Sequence, residues 1–217
     1  MYKKLDENSI DGILETGIEE FAENGLDGAN INVIARKAGV SVGVIYKYFD
    51  DKESFFLACV RYSLSLLDEV LSDAVAYETD VMSGIRSIIG ALIKHAKEHP
   101  SHNAMYNEIS SGSCKRYAAV LAREIESKTA QTYSRLIENA KNAGRADPGL
   151  DPKMFAFFLD NLLMMLQFSY SCDYYRERMK IFCGEDIIDN TERMTEQFMR
   201  FAGSALKARE GEEEDCT

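Results

Sequence analysis

Residues 31–49, INVIARKAGVSVGVIYKYF, constrain the fold more than any other stretch of the chain. Ile31, Ile34, Ala35 and Ala38 recur at the spacing of one helical face. Gly39 follows, where a sharply turning chain favours φ > 0 and a glycine adopts it without a Cβ clash. Ser41 can cap a second helix by accepting a backbone N–H, and Val44, Ile45 and Tyr48 resume the helical spacing. Ala35 supplies the small side chain that two steeply crossing helices need. Two short helices joined by a tight turn have the layout of a helix-turn-helix, whose second helix lies in the DNA major groove. A helical hairpin buried in a core would show the same apolar spacing, so charge has to separate the two.

From Gly28 to Phe49 there is no acidic residue, while Arg36, Lys37 and Lys47 are basic, in a chain of formal net charge −11. An acid-free window in an acidic chain is a surface suited to phosphate. The overall acidity argues against a non-specific nucleic-acid coat.

The pattern IAxxAGVSxGxIYxYFxxKExxF is carried by Ile34-Ala35, Ala38-Gly39-Val40-Ser41, Gly43, Ile45-Tyr46, Tyr48-Phe49, Lys52-Glu53 and Phe56. With these residues, positions 10–57 resemble the DNA-binding domain of TetR/AcrR-family transcriptional regulators. The chain departs from that family at Ala29 and Asn30, where Thr or Ser is usual, and at Asp51, where Ser, Asn or Gly is common. Asn30 can still cap a helix, Ala29 offers no hydroxyl, and Asp51 opposes a nearby phosphate contact. The expected DNA-binding set is Asn30, Ser41, Val42, Gly43, Val44, Tyr46, Lys47, Tyr48 and Lys52. Tyr46, Lys47, Tyr48 and Lys52 are the phosphate candidates, Lys52 through the family position it matches. Phosphate contacts position without specifying sequence. Val42 and Val44 could meet thymine methyls, with close backbone approach at Gly43. By its spacing from Ile45, Tyr48 fits a core role under the helix equally well.

The 217 residues are 46% hydrophobic, enough for one large domain or two small ones, and contain no low-complexity tract. Five Cys without a CxxC pair, and an N-terminus MYKKLDENSIDG that is no signal peptide, fit free thiols in a reducing cytoplasm. The helical period continues throughout, with no strand pattern and no internal repeat. The expected class is all-α, about nine helices. A first helix over 8–24 carries Ile10, Ile13, Leu14, Gly17, Ile18 and Phe21 on one stripe and ends at Asn24-Gly25. Its acids, Glu15, Glu19, Glu20 and Glu23, are expected to face solvent. A fourth helix from 50 to about 77 links the DNA-binding part to the rest. A fifth, marked by Ile85, Ile88, Ile89 and Leu92, stops near His99-Pro100. A short helix over 101–110, a long one ending near 143, an eighth over 153–182 and a ninth ending near 207 complete the set. The eighth is apolar nearly all round, so it should be buried on more than one side; Asp160 interrupts it, and no membrane span is expected. The expected domains are 1–50 for DNA binding, 51–208 for regulation and dimerisation, and 209–217 as an acidic, disordered tail.

Met105, Tyr106, Tyr117, Tyr133, Phe158, Met164, Met165, Phe168 and Tyr170 could line a cavity between the fourth, fifth, seventh and eighth helices, since Met and aromatics suit an adaptable pocket. Ordinary core is the competing reading for each. Asp160 and Asn161 would be among its few polar groups, and a buried Asp160 would favour a cationic ligand; alternatively, Asp160 and Gln167 form one solvated stripe with no pocket. Met194, Phe198, Phe201 and Ala205, spaced 4, 3 and 4 apart, offer a dimer interface. The family resemblance implies that the eighth and ninth helices pair with their two-fold mates as a four-helix bundle. His95, Glu98, His99 and His102 raise a metal reading, but two more ligands would be needed, and a solvated helix end accounts for them. No metal and no cofactor are expected. No Gly-rich phosphate loop and no GxSxG points to an enzyme. The resemblance implies a cytoplasmic, ligand-responsive regulator, usually a repressor. It would bind a near-palindromic operator as a homodimer and leave it when a small apolar or amphipathic effector binds. A constitutive DNA-binding protein, and a helical enzyme or carrier with an incidental helix-turn-helix, remain open as alternatives.

Overall fold

The computed structural model describes residues 7–75, 80–110 and 112–206. The expected acidic tail at 209–217 and the end of the fourth helix near Tyr77 lie outside the described residues. Ten α-helices form among those that are described: α1 Glu7–Gly28, α2 Ile31–Lys37, α3 Val42–Tyr48, α4 Lys52–Val75, α5 Val81–Glu98, α6 Pro100–Glu108, α7 Ala118–Asn142, α8 Pro152–Ser171, α9 Asp173–Cys183 and α10 Thr191–Leu206. Short 3₁₀ turns at Gly112–Tyr117 and Glu185–Ile188 precede α7 and α10. Among the described residues no helix is long and apolar enough to cross a membrane.

Helix ends follow local chemistry. Gly25 leaves the helical region (φ 67°, ψ 175°), so α1 breaks where Asn24-Gly25 predicts. The Asp80 and Asp151 carboxylates cap α5 and α8 by accepting two backbone N–H groups each. One difference from expectation is the helix over 153–182. It is two helices, because Cys172 is extended (φ −110°, ψ 132°) and starts α9 in a new direction. The expected ninth helix is therefore α10.

Two apolar cores share α4. The first gathers Ile13, Ile18 and Phe21 of α1, Ile34, Ala35 and Ile45 of the helix-turn-helix, and Phe55, Phe56, Cys59 and Val60 of α4. Met105, Cys114 and Leu121 also belong to it, so α6 and the start of α7 press on the same core. The second is built from α5, α7, α8 and α10, and the later α4 residues Leu67, Leu71 and Val75 pack against it. One continuous helix is thus half embedded in each core.

Candidate nucleic-acid interface and effector cleft

The helix-turn-helix is fixed from within by small groups. The Asn30 side chain accepts the Asn32 N–H at 2.9 Å and caps α2; the Ser41 hydroxyl accepts the Val44 N–H at 3.3 Å and caps α3. Gly39 takes φ 69° between them. Glu20 does not face solvent as its helical position suggested. It is buried, and its carboxylate accepts the Asn30 backbone N–H at 3.1 Å, with Lys37 Nζ 4.0 Å away. Burial beside a donor and a cation answers the cost of taking a carboxylate out of water.

On α3, Ile45 is fully buried, Val42 and Val44 pack half-buried on the first core, and Gly43, Tyr46 and Lys47 are exposed. Tyr48 is half-buried, with Lys47 Nζ 5.6 Å from its ring centroid. Phe49 stacks on Phe55 at 4.7 Å, coupling the end of α3 to α4. Lys52 Nζ donates to the Asp27 carbonyl at 2.8 Å, tying the first turn of α4 to the end of α1. Asp51 caps that turn by accepting the Ser54 N–H at 2.7 Å, which holds its carboxyl below the usual range. Glu53, next along, accepts the Tyr117 hydroxyl at 2.7 Å and pairs with Arg116.

Beyond that joint, a cleft of about 190 Å³ opens between α4, α6, α7 and α8. Leu64, Leu67 and Leu71 of α4, Ile125 of α7 and Met164 of α8 form its apolar wall. Tyr106, Tyr133, Glu126, Asp160 and Gln167 supply its polar surface. The Tyr106 hydroxyl donates to Glu126 at 3.0 Å. Burial, with Glu126 beside it, holds the Tyr106 phenol up and protonated; burial, then Asp160, does the same for Tyr133. Asp160 is pushed up to about 6, first by burial and then by the Glu126 charge. Gln167 is buried, and its side-chain oxygen has no hydrogen-bond partner. At the rim, Arg61 grips Glu124 through two bonds of 2.9 and 3.1 Å, and Lys128 binds Asp68 at 2.7 Å.

The family description "Bacterial regulatory proteins, tetR family" matches residues 13–59, the segment that contains Glu20, both caps and the Phe49–Phe55 contact. The chain carries a tetR-family DNA-binding domain. Over 66 residues it is 39% identical to the transcriptional repressor AcnR of Corynebacterium glutamicum, covering 30% of this chain and 35% of that one. Over 79 residues it is 33% identical to the transcriptional regulator BetI of Pseudomonas aeruginosa, covering 36% and 40%. The chain therefore spans well under half the length of the curated relatives it matches. Beyond this tetR-family domain the likeness is one of fold. The chain superposes on FadR of Bacillus subtilis, solved with stearoyl-CoA, with a TM-score of 0.73 at 14% identity, covering 91% of this chain and 99% of that one. For KstR2 of Mycobacterium tuberculosis the TM-score is 0.68 at 16% identity, covering 95% and 98%.

The structure sorts the sequence candidates. It places all nine DNA-binding candidates on or beside the tetR-family helix-turn-helix. Of the cavity candidates, Tyr106, Tyr133, Met164 and Asp160 line the cleft, and the element opposite α8 is α6 rather than α5. Met105 sits in the first core, and Tyr117 stands at the α4 joint. Phe168 is buried against Tyr106 and Tyr175, at 5.7 and 5.5 Å, behind the cleft wall. Phe158 is 56% exposed, Asn161 donates to the Phe157 carbonyl at 2.7 Å, and Met165 is half-buried; none of the three reaches the cleft. The reason is helical phase: Asp160, Met164 and Gln167 follow i, i+4, i+7, which turns 158, 161 and 165 elsewhere. The solvated-stripe alternative for Asp160 and Gln167 is overturned by this cleft. The exception to the cavity plan that sequence missed is Glu126, whose position on α7 carries no signal until α6 and α8 are set beside it.

The other expectations were mixed. Phe201 and Ala205 are exposed, but Met194 and Phe198 pack half-buried on their own core. His95 and His102 are buried rather than solvated. His102 Nε2 lies 2.9 Å from Glu15 Oε2, so Glu15 too faces a partner. Burial, then His99 and His102, lowers His95 to about 4. Among the described residues no three His, Cys, Asp or Glu side chains converge as a metal set.

Proposed function

We propose that the protein is a ligand-responsive transcriptional regulator, a repressor by its resemblance to AcnR, that binds a near-palindromic operator as a cytoplasmic homodimer. A small molecule in the cleft between α4, α6, α7 and α8 releases it. The observation that carries this reading is the division of α4. Its first turn is bonded to the DNA-binding domain through Lys52 and Asp27. Its middle, from Arg61 to Leu71, is one wall of the cleft. A molecule wedged there bears directly on the helix that positions α3. It shifts the operator equilibrium only by its differential affinity for the two states, and a tenfold loss of operator affinity requires about 1.4 kcal/mol of such coupling.

Selection from random duplex DNA with the full-length protein tests the DNA half of the reading. Enrichment of a two-fold-related sequence is expected. Retention of unselected DNA alone would favour an incidental helix-turn-helix. A thermal-shift ligand screen, followed by operator titration, tests the other half. At least one stabilising ligand should weaken operator binding; ligands that stabilise without moving it would mark a constitutive binder.

A further inference from the structure

The cleft is electrostatically unbalanced, and the imbalance has a location. Its two cations are committed at the rim, Arg61 to Glu124 and Lys128 to Asp68. Two carboxylates are left: Glu126, which holds only the Tyr106 hydroxyl, and Asp160, which makes no hydrogen bond or ion pair among the described residues. A desolvated carboxylate with no partner destabilises a fold, so an unpaired Asp160 beside a second acid is not what packing alone selects. Two turns further along the same face of α8, the Gln167 side-chain oxygen, on a residue only 6% exposed, is an orphaned acceptor at the same cleft. The tyrosine rings of 106 and 133 and the leucines of α4 supply apolar surface around these groups. Acceptors in excess of their donors, walled by aromatic rings, are the complement of an N–H-bearing cation with an apolar body.

We propose that the effector is a small organic ammonium, a protonated primary or secondary amine. Its N–H groups are shared among Asp160, Glu126 and Gln167, and its hydrocarbon part lies against Tyr106, Tyr133 and the α4 leucines. The inference rests on the effector reading above but concerns binding alone, so the two can fail separately. The titratable and charged groups that line the cleft with Asp160 are Glu126, Tyr133, Glu124 and Lys128 of α7, Tyr106 of α6, and Arg61 and Asp68 of α4, and of these Glu126 is the charge that acts on it. A bound cation favours the ionised Asp160, so binding at pH 6 should release a proton.

The test is calorimetry on the full-length protein with butylammonium, benzylammonium and phenethylammonium, beside 2-phenylethanol and 3-phenylpropanoate as neutral and anionic controls. At least one ammonium should bind tenfold or more tighter than either control, with an apparent enthalpy at pH 6 that depends on the buffer's ionisation enthalpy. Its affinity should fall as the pH drops from 7 to 5. Asp160→Asn and Glu126→Gln should each weaken it tenfold or more while thermal unfolding remains cooperative. Gln167→Leu should weaken phenethylammonium but not its N,N,N-trimethyl derivative. Equal or tighter binding of the alcohol or the carboxylate, no binding of any of the three ammoniums, or undiminished affinity in both folded carboxylate variants would each overturn the proposal. Ammonium binding that leaves operator affinity unchanged would support the cation site and sink only the switch.

Discussion

At position 43 a β-carbon would meet only Ser41 Oγ, 3.8 Å away, and the glycine sits in the first turn of α3, where alanine is the better helix former. Nothing in the fold asks for glycine there, and the proposed DNA contact gives it a role, close approach of the duplex to the backbone. Gly43→Ala should leave thermal stability equal or slightly raised yet weaken operator binding in fluorescence anisotropy. Gly43→Glu should abolish binding in a protein that still unfolds cooperatively. Lys47 is exposed on the same helix, so Lys47→Ala should flatten the log K against log salt slope by about one unit. Lys52→Ala should do the same and also lower stability, because its ammonium holds the Asp27 carbonyl; an unchanged slope in both would remove them from the phosphate set. Asp160 carries a prediction of opposite sign to the usual carboxylate. Its folded pKa, about 6, lies above the ordinary 3.8, so the folded state holds the proton more tightly. Stability is therefore lost as pH rises from about 4 through 6, and the penalty is fully present above that window. Asp160→Asn should raise stability at pH 7 by about 1–2 kcal/mol, less than the full shift because the cleft is open to water. In denaturant titrations the two proteins should converge near pH 4.

Between elements, α1 approaches α4 closely at Gly17. A β-carbon at Gly17 would lie 2.6 Å from Phe55 Cζ and 2.8 Å from Cys59 Sγ, both fully buried. Phe55 cannot withdraw without disturbing the ring cluster of Phe21, Phe49, Phe55 and Phe56, and Cys59 Sγ is held by the Leu14 carbonyl at 3.6 Å. Gly17→Ala should cost about 1–3 kcal/mol in chemical unfolding. Operator affinity should fall with it, since Phe55 supports Phe49 at the end of α3. A fully stable Gly17→Ala protein would mean that α1 and α4 sit further apart than described. This is also the scale at which sequence reading reaches its limit. The helix-turn-helix was legible because caps, a turn glycine and apolar spacing all act within a few residues. The break at Cys172 was not, since no Gly or Pro marks it. Nor was rotation: apolar side chains surround α8, so their pattern could not say that Asp160, rather than Phe158, turns towards α7. Glu20 escaped notice because the N–H that holds it lies ten residues away.

The whole molecule leaves apolar surface uncovered, and it is unevenly placed. On α8, Met154, Phe157, Phe158 and Leu162 are 40–60% exposed, and on α10 Phe201 is 62% exposed. The expected burial of α8 on several sides is thus met by the single chain only in part. A second copy of the chain, packing its own α8 and α10 against these, would supply the missing side, and an isologous contact closes on itself. Two recognition helices set by such an axis would address half-sites about 34 Å apart, or a multiple of that spacing. The choice of variant matters. Phe198 packs half-buried on its own core, so Phe198→Asp should lower stability and says little about assembly. Phe157→Asp and Phe201→Asp alter exposed side chains, so the combined variant should keep its unfolding midpoint and sediment as a monomer at micromolar concentration, where the proposed assembly has the unaltered protein sediment as a dimer. Operator affinity should drop steeply, because each monomer keeps one half-site and loses the gain from binding two at once. If the combined variant remains dimeric, α8 and α10 are not the interface. The exposed Tyr174, Ile181 and Phe182 of α9 then become the surface to alter next.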